Sequence, residues 1–149
     1  MKAVIQRVTY SKLSIENKIY SQIKGGIVVL LGITHDDDNN DIHWLAKKIL
    51  NLRIFNDDKG IMNKSLIDVS GELMIVSQFT LHAQTKKGNR PSYINAANGD
   101  MAEKIYKSFI LEIENKYNLM PKTGKFGADM KVELENDGPV TIIIDTKNK

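Results

Sequence analysis

Ser77-Gln78-Phe79-Thr80-Leu81 sets two hydroxyls and a carboxamide within a few residues, at the end of the apolar run Leu73-Met74-Ile75-Val76. If residues 77–82 stay extended, Gln78, Thr80 and His82 point to one face, because side chains alternate along a strand. A hydroxyl beside an imidazole is a nucleophile-and-base arrangement. No third group in the sequence orients His82, and hydroxyls in strands are also ordinary cross-strand partners. Both readings of Thr80 stay open at this point. The second chemical feature is Asn136-Asp137-Gly138-Pro139-Val140-Thr141. Its Gly-Pro step joins the residue least restricted in φ to one that fixes φ and lacks an N–H. The two carbonyls are free to be aimed at a ligand, unless the step is only turn punctuation. Arg7 lies in an otherwise apolar strand, so it must point outward or meet a partner such as carbonyl oxygens.

Weaker features surround these. Lys86-Lys87-Gly88-Asn89-Arg90 puts three cations in a loop-like stretch, with Lys122 and Lys125 in another. Such loops hold phosphates or are simply solvated. His35 beside Asp36-Asp37-Asp38 invites a metal, but an acidic run before a helix is explained by capping and by the helix dipole. His43 reads as a surface or edge residue of that helix.

The elements that must position these groups follow from periodicity. Ala3 to Tyr10 alternates, Leu13-Ser14-Ile15 and Ile19-Tyr20-Ser21 flank a polar turn at Glu16-Asn17-Lys18, and Gly26 to Ile33 is a continuous buried-type run. Ile42, Leu45, Ile49 and Leu52 then fall on one helical face. Residues 53–70 are turn-rich, and Leu73 to Val76 opens another buried strand. Asp100-Met101-Ala102-Glu103 resembles a capping box, followed by Ile105, Tyr106, Phe109 and Ile113 at helical spacing. Glu103 with Lys107 and Glu112 with Lys116 support that helix. Lys131 to Glu135 and Val140 to Ile144 read as closing strands. This order predicts a layered α+β domain with a mixed or antiparallel sheet, not a doubly wound one.

The chain has 149 residues, no Cys, and a net charge of +3 from 21 basic and 18 acidic groups. That length fits one domain, 1–149, with no linker, repeat or low-complexity block to divide it. Without Cys there is no thiol catalysis and no thiolate metal site, which fits a reducing compartment. No apolar run approaches the roughly 20 residues of a membrane span. A cytoplasmic, soluble protein is expected. A phosphate-cradling glycine loop, a nucleophile elbow and a zinc-protease helix motif are all missing.

Taken together, Ala3-Val4-Ile5-Gln6-Arg7-Val8, Met62-Asn63-Lys64-Ser65-Leu66, Gly71-Glu72-Leu73 leading into Ser77 to Leu81, Lys87-Gly88-Asn89-Arg90-Pro91-Ser92, Thr123-Gly124-Lys125-Phe126-Gly127-Ala128-Asp129-Met130 and Asn136 to Thr141 resemble the D-aminoacyl-tRNA deacylase family. The similarity runs the length of the chain in order. It implies hydrolysis of the ester between a D-amino acid, or glycine, and the 3′ end of tRNA, without cofactor or metal. The implied fold is layered β/β/α, barrel-like, with two main helices, and the implied assembly is a homodimer.

By the same resemblance, Gly138-Pro139 forms a cis peptide that reaches into the partner subunit's site and captures the substrate ammonium with its carbonyls. An L side chain would be driven into that backbone. Arg7 would hold the Gly-Pro carbonyls. Ser77, Gln78, Phe79 and Thr80 would line the pocket of the terminal adenosine, with the Phe79 and Thr80 N–H groups as oxyanion donors. Phe126, Gly127, Ala128 and Met130 would wall it, the ribose 2′-OH would help activate water, and Lys86, Lys87 and Arg90 would meet tRNA. His82 departs from the Tyr usual in the family, which weakens a Thr–His dyad. Two other readings remain: a non-catalytic nucleic-acid-binding module, and an editing enzyme acting on an L-aminoacyl-tRNA.

Overall fold

The N-terminal alternation extends into one long strand, β1 (Lys2–Ile15), rather than stopping at Tyr10. The computed structural model describes residues 1–149. Glu16 and Asn17 take positive φ, 50° and 61°, and turn the chain tightly into β2 (Lys18–Ile23). β3 (Gly26–Gly32) pairs antiparallel with the first half of β1, and β2 pairs with the second half. A separate small hairpin joins β4 (Phe55–Asn56) and β5 (Met62–Lys64). β6 (Glu72–Ser77) runs parallel to β3, and β7 (Lys122–Thr123) runs parallel to β6. The main sheet is therefore mixed. It curls until β2 approaches β7, where the Ser21 hydroxyl donates to the Thr123 carbonyl at 2.9 Å.

The continuous apolar runs of β3 and β6 are explained by burial on both faces. Ile27, Val29, Leu31, Leu73 and Ile75 join the helices in a core of 20 residues. Val28, Met74 and Val76 point the other way, with Val8, Leu13 and Ile23, into a smaller core inside the curl. The result is the layered, barrel-like α+β fold with two main helices that the pattern and the resemblance imply.

Helix α1 (Asn39–Asn51) begins with a capping box: the Asp38 carboxylate accepts from the Asn40 and Asp41 N–H groups, and Asp41 reaches back to the Asp38 N–H. Asp37 instead turns inward and pairs with the Met1 ammonium at 2.5 Å. Helix α2 (Gly99–Tyr117) starts earlier than the expected Asp100 cap. Asn98 is the cap, accepting from the Met101 N–H at 3.0 Å, and Asp100 sits in the first turn, where its charge suits the dipole. The expected pairs form, Glu103 with Lys107 at 2.8 Å and Glu112 with Lys116 at 3.2 Å.

The two closing strands are one, β8 (Lys131–Asp145), which covers the side of β1 opposite β2 and β3. Gln6 faces Thr141 and Val8 faces Asn136, so residues 137–140 bulge out opposite Arg7 alone.

Candidate functional site

The site begins where β6 ends. The Gln78 N–H still donates to the Leu31 carbonyl at 2.7 Å, and then Phe79–His82 wind into a 3-10 turn. The expectation of an extended 77–82 is overturned here. In a turn of three residues, positions two apart diverge, so Thr80 and His82 do not share a face. The Thr80 hydroxyl accepts from Gln78 Nε2 at 2.5 Å, while the His82 ring is buried against Gly32. No Thr–His dyad exists. What the turn does produce is a pair of free donors: the N–H groups of Phe79 and Thr80, the first two of the turn, donate to no protein acceptor.

These donors adjoin a cleft of about 310 Å³ lined by the ends of β3 and β6, the start of α2 and residues 126–132. Leu31, Ile33, Val76 and Ala102 supply apolar floor, Ser77, Gln78 and Phe79 one rim, and Phe126 to Met130 with Val132 the opposite wall. That wall is shaped by glycines. Gly127 has φ of +74°, and at Gly124 a Cβ would collide with the Met130 sulfur, so its absence lets Met130 fold in. Phe126 leans on Tyr106, ring centroids 5.8 Å apart, and the Tyr106 hydroxyl donates to the Ile75 carbonyl at 2.7 Å. Burial pushes the Tyr106 phenol far above its ordinary value, so it stays protonated and keeps donating to that carbonyl.

Gly138 and Pro139 do not line this cleft. They are exposed at the bulge in β8, joined by a cis peptide, with Gly138 at φ +114°. Asn136 clamps the bulge: its side chain accepts from the Val140 N–H at 3.1 Å and donates to the Thr141 hydroxyl at 2.9 Å. Arg7 is buried beneath, so an outward-pointing guanidinium is excluded. Its partners are not the Gly-Pro carbonyls. Nη1 donates to the Ile54 carbonyl at 2.6 Å, and Nε lies 2.9 Å from an Asp137 carboxylate oxygen, an ion pair without hydrogen-bond alignment. Nη2 lies against Gly138, where a Cβ would sit 2.9 Å from it. Arg7 thus braces the bulge through the residue before the glycine.

Lys86, Lys87 and Arg90 are exposed in a loop closed by the bridge between Gln84 and Ser92. At its foot Tyr93 meets Phe79 edge-on, centroids 5.1 Å apart, which places the loop beside the cleft rim. His35 Nε2 lies 3.3 Å from the Ile94 carbonyl, and no group of three or more His, Asp or Glu converges as metal ligands. His43 is an exposed partner of Glu112 at 2.8 Å. Residues not singled out from sequence are Leu31, Ile33, Ala102 and Val132, whose types mark only core; Asn136 and Asp137 belong to the distinctive Gly-Pro segment, but their bracing roles are not legible in residue type.

Comparison with known proteins shows the family and the fold. A family model described as D-Tyr-tRNA(Tyr) deacylase matches residues 4–145. A D-aminoacyl-tRNA deacylase of Parabacteroides distasonis is 55% identical over 149 residues, covering 100% of this chain and 99% of that protein. One of Cytophaga hutchinsonii is 56% identical with the same coverage. A solved structure of the c-Myc DNA Unwinding Element Binding Protein superposes with a TM-score of 0.93 at 42% identity, covering 98% of this chain and 99% of that one. A probable eukaryotic D-amino acid tRNA deacylase shares the fold, with a TM-score of 0.79 at 17% identity over 96% and 97% of the two chains. With its motifs in order along the chain and its cleft built from them, this protein belongs to the D-Tyr-tRNA(Tyr) deacylase family.

Proposed function

We propose that the chain hydrolyses the ester that joins a D-amino acid to the 3′ end of tRNA, working in the cytoplasm as a homodimer without metal or cofactor. The observation that carries this is the pair of unpartnered N–H groups at Phe79 and Thr80, beside an apolar cleft large enough for a nucleoside. The terminal adenosine would lie between the Ser77–Phe79 rim and the Phe126–Met130 wall. The ester carbonyl oxygen would then take the two N–H groups.

Water, its proton drawn off with help from the ribose 2′-OH, adds to the carbonyl carbon. The oxyanion forms on the two donors, the bond to the 3′ oxygen breaks, and that oxygen takes a proton. Thr80 has no base beside its hydroxyl, which supports a mechanism without a side-chain nucleophile.

Within one protomer the Gly-Pro bulge stands apart from the cleft. β8 also has no strand on its outer edge, and it carries the exposed Ile143. Both features support an assembly in which the bulge of one subunit completes the cleft of the other. Its carbonyls would hold the ammonium, leaving room for a D side chain or for glycine and none for an L side chain. Lys86, Lys87 and Arg90 would meet the phosphates behind the 3′ end.

The test is release of amino acid from matched D- and L-aminoacyl-tRNA by the purified protein. Rapid release of the D form alone is expected, and Thr80→Ala should retain activity within about threefold. Equal release of both forms would favour an L-editing enzyme. Tight binding of nucleic acid without release would favour the binding activity for which the 42% identical protein is named.

A further inference from the structure

His82 is a buried titratable group next to the two donors, and this mechanism leaves it unused. It closes the 3-10 turn that opens with Phe79 and Thr80, and it is only 7% exposed. A Cβ placed on Gly32 would lie 3.0 Å from the Gln78 carbonyl oxygen and 3.1 Å from His82 Cδ2. The imidazole is therefore wedged against the bare backbone at the end of β3, directly beneath the turn. Its Nε2 is buried and meets no hydrogen-bond partner.

We propose that neutral His82 is a positioning residue: it fixes the turn against β3 and so aims the Phe79 and Thr80 N–H groups. The inference rests on the oxyanion role given to those groups above. Protonation would place a cation in the wedge. Burial opposes that charge first, and the nearby Lys2 and the Met1 ammonium on the β1 side oppose it too. The Gly32 backbone, second only to burial, and the Asp37 carboxylate, from the segment before α1, favour it, but on balance the ring titrates below its ordinary value. Asp37 is itself engaged by the Met1 ammonium. A charged ring would have to move toward solvent, and the turn would move with it.

Titrating the ¹⁵N-labelled full chain downward from about pH 7.5 tests this directly. The His82 ring should protonate below 6.5, and the Phe79 and Thr80 amide signals should shift with the same midpoint. With D-aminoacyl-tRNA, kcat should fall on that midpoint while KM holds. His82→Gln should abolish this limb, and His82→Ala, which empties the wedge, should lower neutral-pH kcat by about tenfold or more while KM holds. His82→Tyr serves as a second non-titrating variant at these pH values if the glutamine does not fold. Amides indifferent to ring protonation, or an acid limb that persists in a non-titrating variant, would overturn the proposal. Absence of D-amino acid release at every pH would instead remove the hydrolase reading, and the amide titration would still decide the positioning role.

Discussion

Arg7 takes its meaning from three neighbours that the sequence does not place beside it: Ile54, Asp137 and Gly138. A buried guanidinium needs partners, and here Nη1 donates to a carbonyl while Nε is charge-paired with a carboxylate without an aligned hydrogen bond. Because Asp137 remains half exposed and Nε makes no aligned hydrogen bond to it, the ion pair itself contributes little, and the bond to the Ile54 carbonyl is the stronger tie. Arg7→Ala should lower the stability to urea by about 1.5–3 kcal/mol, the range for a hydrogen bond to a charged group. It should also loosen the bulge that carries Gly138-Pro139. The expected functional effect is a rise in L-ester turnover relative to D, measured with matched aminoacyl-tRNAs. Unchanged selectivity would mean that Arg7 serves the fold alone.

At the scale of elements, the cleft exists because two segments stop being regular at the same end of the sheet. β6 gives way to a 3-10 turn, and the chain after β7 folds back as a glycine-shaped wall. Gly124 shows how narrow the tolerance is, since its missing Cβ is the space that Met130 uses. Gly124→Ala should push Met130 toward the cleft and raise KM for D-aminoacyl-tRNA more than it lowers kcat, as steady-state kinetics would show. Equal loss in both parameters with unchanged stability would place the effect on the chemical step instead. The turn also explains why period-2 reasoning failed at Thr80 and His82. The hydrophobic run of β6 predicts a strand, but nothing in residue type marks the point where the ladder to Leu31 runs out.

At the scale of the molecule, the chain ends are tied to the start of α1. Burial alone would raise the Asp41 carboxyl, but hydrogen bonds from Lys147, Thr146 and Lys149 outweigh it and hold the group well below the carboxylate range. A carboxyl whose folded value is depressed contributes stability that is present above its unfolded value of about 4 and is lost as pH falls through the folded one. Asp41→Asn should therefore flatten the acid side of the stability curve, leaving less difference between about pH 6 and pH 3 in thermal unfolding. An unchanged slope would move that role elsewhere.

The proposed assembly is tested by mixing. One set of subunits is disabled in the cleft by Gln78→Ala, the other at the bulge by Gly138→Val, whose side chain would meet the Arg7 guanidinium. Each inactive alone, they should regain about a quarter of wild-type activity after exchange, because half the dimers carry one complete site. No recovery, with exchange shown by mass, would mean that each site is built from one chain.

Much of this was fixed by residue order alone. Periodicity located both helices, and the double-faced apolar runs identified β3 and β6, because burial on a face leaves a direct imprint on residue type. The chemically distinctive segments, Ser77 to Leu81 and Asn136 to Thr141, also stood out, since glycine, proline and clustered polar groups are read locally. Tertiary structure decided what local reading could not. It turned His82 inward and left Phe79 and Thr80 with free N–H groups, and it gave Arg7 a carboxylate as partner. It also enlisted Leu31, Ile33 and Ala102 as cleft floor. These outcomes depend on where sheets end and which backbones meet, and a core residue at a cleft looks no different in sequence from one buried elsewhere.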